Sequence, residues 1–198
     1  PNNRGMVELG HRSTHNMMTI IEEFLDLNVL REDQIQISPE PIPMSYILSE
    51  TILNNREWAD EKGIQFDVDL SEIAVYADPQ HLQHAVGNLI SNAIKYSPLN
   101  SSIRVYVETD EASNEATVHV VDQGEGIPAA EQPRLFQPFT TISTKPTNGE
   151  HSSGLGLWIA HEMITMQNGN IGMYDAPDGG CDFWISIPLA PMPMQQVS

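Results

Sequence analysis

The stretch "HLQHAVGNLISNAIKYSP", residues 81–98, constrains the fold more than any other part of the chain. Set on a 3.6-residue period, Leu82, Ala85, Val86, Leu89, Ile90, Ala93 and Ile94 fall on one face, the spacing of a helix that buries a stripe against a second layer. Asp78 and Pro79 precede it as an N-cap and a first-turn proline. The opposite edge is a line of His81, His84, Asn88, Asn92 and Lys95 at steps of three and four. A solvated edge ordinarily carries Glu and Lys. Amides and imidazoles in a row are arranged for a ligand.

Composition limits how such a ligand could be held. The 198 residues can bury one substantial core plus an appendage, and 27 Asp and Glu against nine Lys and Arg give a formal net charge of −18. That field repels phosphate backbones and anionic lipid, so nucleic acid is not expected as a partner. A phosphate ligand would have to be gripped locally, by a metal ion, backbone N–H groups and a few cations. The single cysteine, Cys181, excludes an internal disulfide, suits a reducing compartment and reads as a small buried residue of a strand, "GGCDFWISIP". No apolar run approaches the ~20 residues of a spanning helix and no signal peptide is evident, so a cytoplasmic location is expected. The sequence starts at Pro1, which reads as a piece of a longer parent that could itself be membrane-anchored.

Along the chain, Met6 to about Asp33 has a helical pattern, with Ile20, Ile21, Phe24, Leu25, Leu27 and Leu30 on one side. "ISPEPIPMS" reads as an extended connector, and a second helix is expected from Ser45 to Glu61, ending at Gly63, with Ile47, Leu48, Thr51, Ile52 and Trp58 inward. "IQFDVDL", "AVYAD", "SIRVYVETD" and "EATVHVVDQ" read as strands, the last two joined by "EASNE" as a hairpin. Residues 137–153 are expected to form a long mobile loop, followed by the helix "GLGLWIAHEMITMQNG" and the strands "NIGMYDA" and "CDFWISIPLA". The expected domains are an N-terminal helical segment at 1–37, a catalytic domain at 38–190 and a flexible tail at 191–198.

Three features carry the chemistry: the amide line, "DQGEG" at a strand end, and "SSGLGLWIA" at the mouth of a helix. Each alone is weak. A glycine pair after a strand is commonly only a turn, "GLGL" could equally serve close helix packing, and Asn88 and Asn92 could bond a neighbouring loop. Taken together and in order, they resemble the ATP-binding domain of sensor histidine kinases, in the superfamily shared with gyrase, the Hsp90 chaperones and MutL. "NLISNAIKYS" is similar to that family's asparagine box, "DQGEGIP" to its first glycine box, "LFQPF" to its phenylalanine box and "SSGLGL" to its second glycine box. The resemblance covers about residues 40–189 and implies an α+β fold: a two-layer α/β sandwich with a Bergerat-type mixed sheet covered by about three helices, preceded here by one long amphipathic helix.

The resemblance also implies roles. Asn92 and Asn88 would offer amide oxygens to a Mg²⁺ on the phosphates of ATP, an oxygen-seeking ion, and Lys95 would meet a phosphate as a point charge. Asp122 would accept a hydrogen bond from the adenine amino group, with Gly124, Gly126 and Ile127 beside the ring. Ser153, Gly154, Leu155, Gly156 and Leu157 would bring helix N-terminal N–H groups to the phosphates, beneath a lid at 140–153 whose one Lys or Arg is Lys145. Tyr96, Phe136, Phe139 and Trp158 would pack the pocket and lid hinge, plain core being the alternative. Where the superfamily's hydrolases carry a water-activating Glu, four residues before the metal asparagine, this chain has Asn88, which disfavours rapid hydrolysis. One departure is Ser152, where the family has glycine; a positive φ there would cost about 1 kcal/mol.

In such kinases the phosphoryl group goes to a histidine on a dimerising helical hairpin and then to an aspartate of a response-regulator receiver domain. That histidine is followed by an acidic residue and soon after by a proline; "HRSTHNMM" has neither, so His11 and His15 read as ordinary helix histidines. "IIEEFLDLNVLRED" resembles the end of the hairpin's second helix, implying a homodimer through this helix and an acceptor helix, of its own or the partner protomer, outside this chain. A kinase-inactive nucleotide-binding regulatory module and a hydrolytic relative are the alternatives.

Overall fold

The computed structural model describes residues 36–70, 72–150 and 152–191. The expected N-terminal helix, with His11 and His15, and the tail beyond residue 191 lie outside the described residues.

Strand β1 (Glu40–Pro43) leads into α1 (Met44–Glu61), then β2 (Gln65–Asp69), β3 (Ala74–Ala77), α2 (Pro79–Tyr96), β4 (Ser102–Asp110), β5 (Glu115–Val121), a 3₁₀ turn (Gln132–Arg134), α3 (Gly156–Thr165), β6 (Asn170–Asp175) and β7 (Cys181–Pro188). The five-stranded sheet runs β2-β4-β5-β7-β6, with β2 parallel to β4 and the other pairs antiparallel. Its inner face, including Ile103, Val105, Val118, Val120, Phe183, Ile185 and Ile187, joins one core with the three helices. This is the expected mixed-sheet α+β sandwich.

Helix α2 forms the centre of that core. All seven residues of its apolar stripe are fully buried, each contributing on the order of 1–3 kcal/mol by leaving water. Its start is fixed as expected: the Asp78 carboxylate accepts from the N–H groups of Gln80 at 3.0 Å and His81 at 3.1 Å, and Pro79 occupies the first turn. The Asp78 N–H in turn donates to Gln167 Oε1 at 2.6 Å, tying this end to the chain just after α3.

Helix α1 ends in a Schellman pattern, with the Gly63 N–H on Asp60 O at 3.0 Å, the Ile64 N–H on Ala59 O at 2.9 Å and Gly63 at φ 66°. Lys62 is the C-cap residue of this helix. One expectation is corrected: the proline-rich connector contains a strand. β1 pairs antiparallel with β3 in a two-stranded sheet, Pro41 opposite Tyr76 and Pro43 opposite Ala74, with Ile42 turned inward. Proline has no N–H to give a ladder but keeps an extended backbone, so at an edge it is compatible with a strand.

Candidate functional site

A solvent-open cleft lies between α2, the turn after β5, the start of α3 and the segment 140–146. At its closed end stands Asp122, only 4% exposed. Two backbone N–H groups hold its Oδ1, Gly124 at 2.7 Å and Cys181 at 3.2 Å, while the Asp122 N–H donates to Cys181 O at 2.9 Å. Burial pushes its carboxyl up to about 6, against the pull of these hydrogen bonds; the charge of Asp182 pushes the same way as burial. No larger residue could stand at 124, since a Cβ would lie 2.9 Å from both Asp122 Oδ1 and Tyr96 O. Gly180, at φ 89°, is equally constrained: a Cβ there would collide with the Asp122 carbonyl oxygen. One carboxylate oxygen is thus committed to backbone, leaving Oδ2 to face a donor.

The α2 wall is neutral and then basic. Asn88, Ser91, Asn92, Lys95 and Tyr96 line the cleft, and the Nδ2 of Asn88 is buried without a hydrogen-bond partner. A buried, unmet amide is costly in a folded protein unless a ligand completes it. Two asparagines in the lining also supply amide oxygens, the donor type suited to an oxygen-seeking divalent ion. Opposite, α3 begins at Gly156 with Leu155 as its N-cap, so the N–H groups of its first turn have no partner within the helix. Gly154 is at φ 74°, and a Cβ on it would collide with Thr140 O, so both ends of the 140–153 segment meet at this glycine.

That segment has no helix or strand among its described residues, yet it is tied down. Thr144 Oγ1 donates to Gly126 O at 2.9 Å, the Ser143 N–H to Glu131 at 2.8 Å, and the Thr147 N–H to Lys95 O at 3.1 Å. Beneath it the Lys62 ammonium, 2% exposed as a residue, reaches Glu150 Oε1 at 3.2 Å and Thr147 Oγ1 at 2.6 Å. Burial pulls the Lys62 pKa below its ordinary value, while the charge and hydrogen bond of Glu150 act against that fall.

Asn88, Asn92, Lys95, Tyr96, Asp122, Gly124, Gly126, Ile127, Lys145, Ser153, Gly154, Gly156 and Leu157 are thus brought to one cleft. Phe139 and Leu155 are not among its lining residues. Phe139 is 62% exposed at φ 60°, just before the segment, and Leu155 turns into a small cluster with Ile159, Met163 and Trp158. His81 and His84 also stay out of the lining; the His81 ring sits 2.8 Å from Asp78 at the far end of α2. Ser152 is not among the residues with positive φ, so the strain expected there does not arise.

A family model described as "Histidine kinase-, DNA gyrase B-, and HSP90-like ATPase" matches residues 77–191, more than half of the chain. The chain belongs to this family. The match takes in every residue lining the cleft. The signal transduction histidine-protein kinase BarA of Escherichia coli (strain K12) is 30% identical over 195 residues, 96% of this chain and 21% of BarA. The chain spans about a fifth of the length of the curated relatives it matches. Among solved structures, the mycobacterial sensor histidine kinase MprB aligns at TM-score 0.67 and 27% identity, covering 78% of this chain and 100% of that one. The full-length ShkA structure in complex with AMPPNP aligns at TM-score 0.74 and 23% identity, covering 96% and 39%, a likeness of fold.

Several contributors escaped the motif reading. Gly180 and Cys181 were visible only as the start of a strand, although the "GG" before "CDFW" could have signalled a close backbone approach. Lys62 and Glu150 lie 88 positions apart, with no local pattern to join them.

Proposed function

We propose that this chain is the ATP-binding catalytic portion of a two-component sensor histidine kinase, transferring the γ-phosphoryl group of Mg-ATP to a histidine on a dimerisation helix for relay to a response-regulator receiver domain. The observation that carries the reading is one cleft that joins a backbone-clamped carboxylate at one end to an amide line and a lysine at the other. Its likeness to BarA, MprB and the AMPPNP-bound ShkA supports it.

Asp122 Oδ2 accepts the adenine amino hydrogen, which reads adenine over guanine because a keto oxygen there would meet a carboxylate. The α3 N-terminal N–H groups, with Lys95 and Lys145, take the phosphates, offsetting the repulsion of a chain of net charge −18. Asn92 and Asn88 are the residues to hold Mg²⁺, which when bound neutralises charge on the phosphate oxygens. These residues act by positioning: they fix the terminal phosphorus for in-line attack by an imidazole from an acceptor helix. Asn88 supplies no proton acceptor for water, which favours transfer over hydrolysis.

The test is trans-phosphorylation. The chain, mixed with Mg-ATP carrying a labelled γ-phosphate and an acceptor helical hairpin from a related kinase, is expected to label the hairpin's histidine, with Asn92→Ala and Asp122→Asn each losing at least about 100-fold. Binding without transfer would instead support a regulatory module, and steady phosphate release by the chain alone a hydrolase.

A further inference from the structure

The sequence holds only three lysines, and all three gather at one end of α2: Lys95 and Lys145 line the cleft, while Lys62 lies beneath the segment that covers it. Lys62 touches no cleft space, yet its Nζ donates to Ile94 O at 2.6 Å, Lys95 O at 3.1 Å, Thr147 Oγ1 at 2.6 Å and Glu150 Oε1 at 3.2 Å. Two of these are carbonyls in the last turn of α2, which have no partner of their own in the helix. The other two belong to the segment. Its side chain is 1% exposed and that of Glu150 is 8% exposed, so the ion pair is shielded from solvent. An ammonium so enclosed is tolerated only with a counter-charge and filled hydrogen bonds, and Glu150 supplies the counter-charge. Lifting the segment removes Glu150 and Thr147 together, leaving the cation with helix carbonyls alone.

Resting on the ATP-site reading above, we propose that Lys62, Thr147 and Glu150 form a latch that holds the 140–150 segment down over the phosphate end of the cleft, so that nucleotide leaves when the latch opens. Lys62 is a positioning residue. It also grips the carbonyl of Lys95, whose side chain lines the cleft, and the Thr147 N–H shares that carbonyl at 3.1 Å, so segment and phosphate-binding turn are fixed against each other. The pair differs from a surface ion pair, which would be screened and worth little.

The experiment uses the whole chain with two readouts. The first, without nucleotide, is amide hydrogen exchange at Thr147. The second is release of a fluorescent Mg-ATP analogue in stopped flow. Glu150→Gln is expected to raise both rates about tenfold, with the association rate changed less than threefold. In a Lys62→Met background, adding Glu150→Gln is expected to give no further rise, because the carboxylate then has no cation to meet and neutralising it only removes an unpaired buried charge; a purely structural loss would add. Thr147→Val, which keeps the ion pair, serves if Glu150→Gln does not fold, with an expected rise of about threefold. A folded Glu150→Gln protein with exchange at Thr147 and analogue release both within about twofold of the unmodified chain would overturn the latch. If the unmodified chain binds no analogue, the ATP reading fails, while exchange at Thr147 still decides the latch.

Discussion

The two ends of the cleft are built on different principles. At the closed end Asp122 is held by the backbone of Gly124 and Cys181, with glycines on both sides that leave no room for a side chain. At the other end the surface is assembled from long side chains and a segment with no regular structure, held through Lys62, Thr147 and Glu150. A backbone clamp has one geometry and suits recognition of a flat, unvarying ring. An arrangement of side chains can open and close, which suits phosphates that must enter, react and leave.

Changes at the closed end should therefore be severe and those at the open end graded. Gly180→Ala should have the largest effect: its φ of 89° and the collision with the Asp122 carbonyl would displace β7 from Asp122. The expected loss is about 3 kcal/mol of stability, read by thermal unfolding, with no detectable binding of an ATP analogue. Ordinary stability with intact binding would break the comparison.

Proton titration sharpens it next. Because the carboxyl of Asp122 is pushed up to about 6, it is ionised at pH 7.5 and largely protonated at pH 5. The ionised form is the stronger acceptor, so affinity should fall as pH drops through 6, by about tenfold at pH 5 beyond any fall seen in Asp122→Asn. Stability runs the other way. The folded value lies above the ordinary 3.8, so the folded state carries the cost of a buried charge above pH 6, on the order of 3 kcal/mol, and sheds it as pH falls from 6 toward 4. Denaturant titrations of the unmodified chain and Asp122→Asn across this range measure the difference.

At the open end, Lys145→Ala should weaken the Mg-ATP analogue only about three- to tenfold, and the deficit should shrink as salt is raised, since an exposed lysine acts through screened charge. Smallest of all, Ser152→Gly should leave stability and affinity within about 0.5 kcal/mol, because Ser152 is not held at positive φ and glycine relieves nothing.

How much of this was legible in the sequence follows the same division. The α2 stripe, its Asp78 cap and the strands of the sheet follow from local periodicity, and every stripe residue is buried. Asn88, Asn92 and Lys95 stand on one helix at fixed spacing and Asp122 directly follows β5, so motif and geometry coincide. Reading was weaker where the chain chooses between extended states: prolines in β1 passed as a connector because sequence does not reveal an edge-strand partner. It failed where contact is long-range. Nothing near Lys62 announces Glu150, and a phenylalanine box gives no hint that Phe139 would face solvent at φ 60°.

The most direct measurement is calorimetric titration of the purified chain with AMPPNP, with and without Mg²⁺, beside Asp122→Asn. In that variant the amide oxygen would keep the backbone N–H groups of Gly124 and Cys181, turning an NH₂ toward the adenine amino group, donor against donor. The account predicts binding that strengthens with Mg²⁺ and weakens about 100-fold in the variant. Equal affinity in the two proteins, or no binding by the unmodified chain, would contradict it.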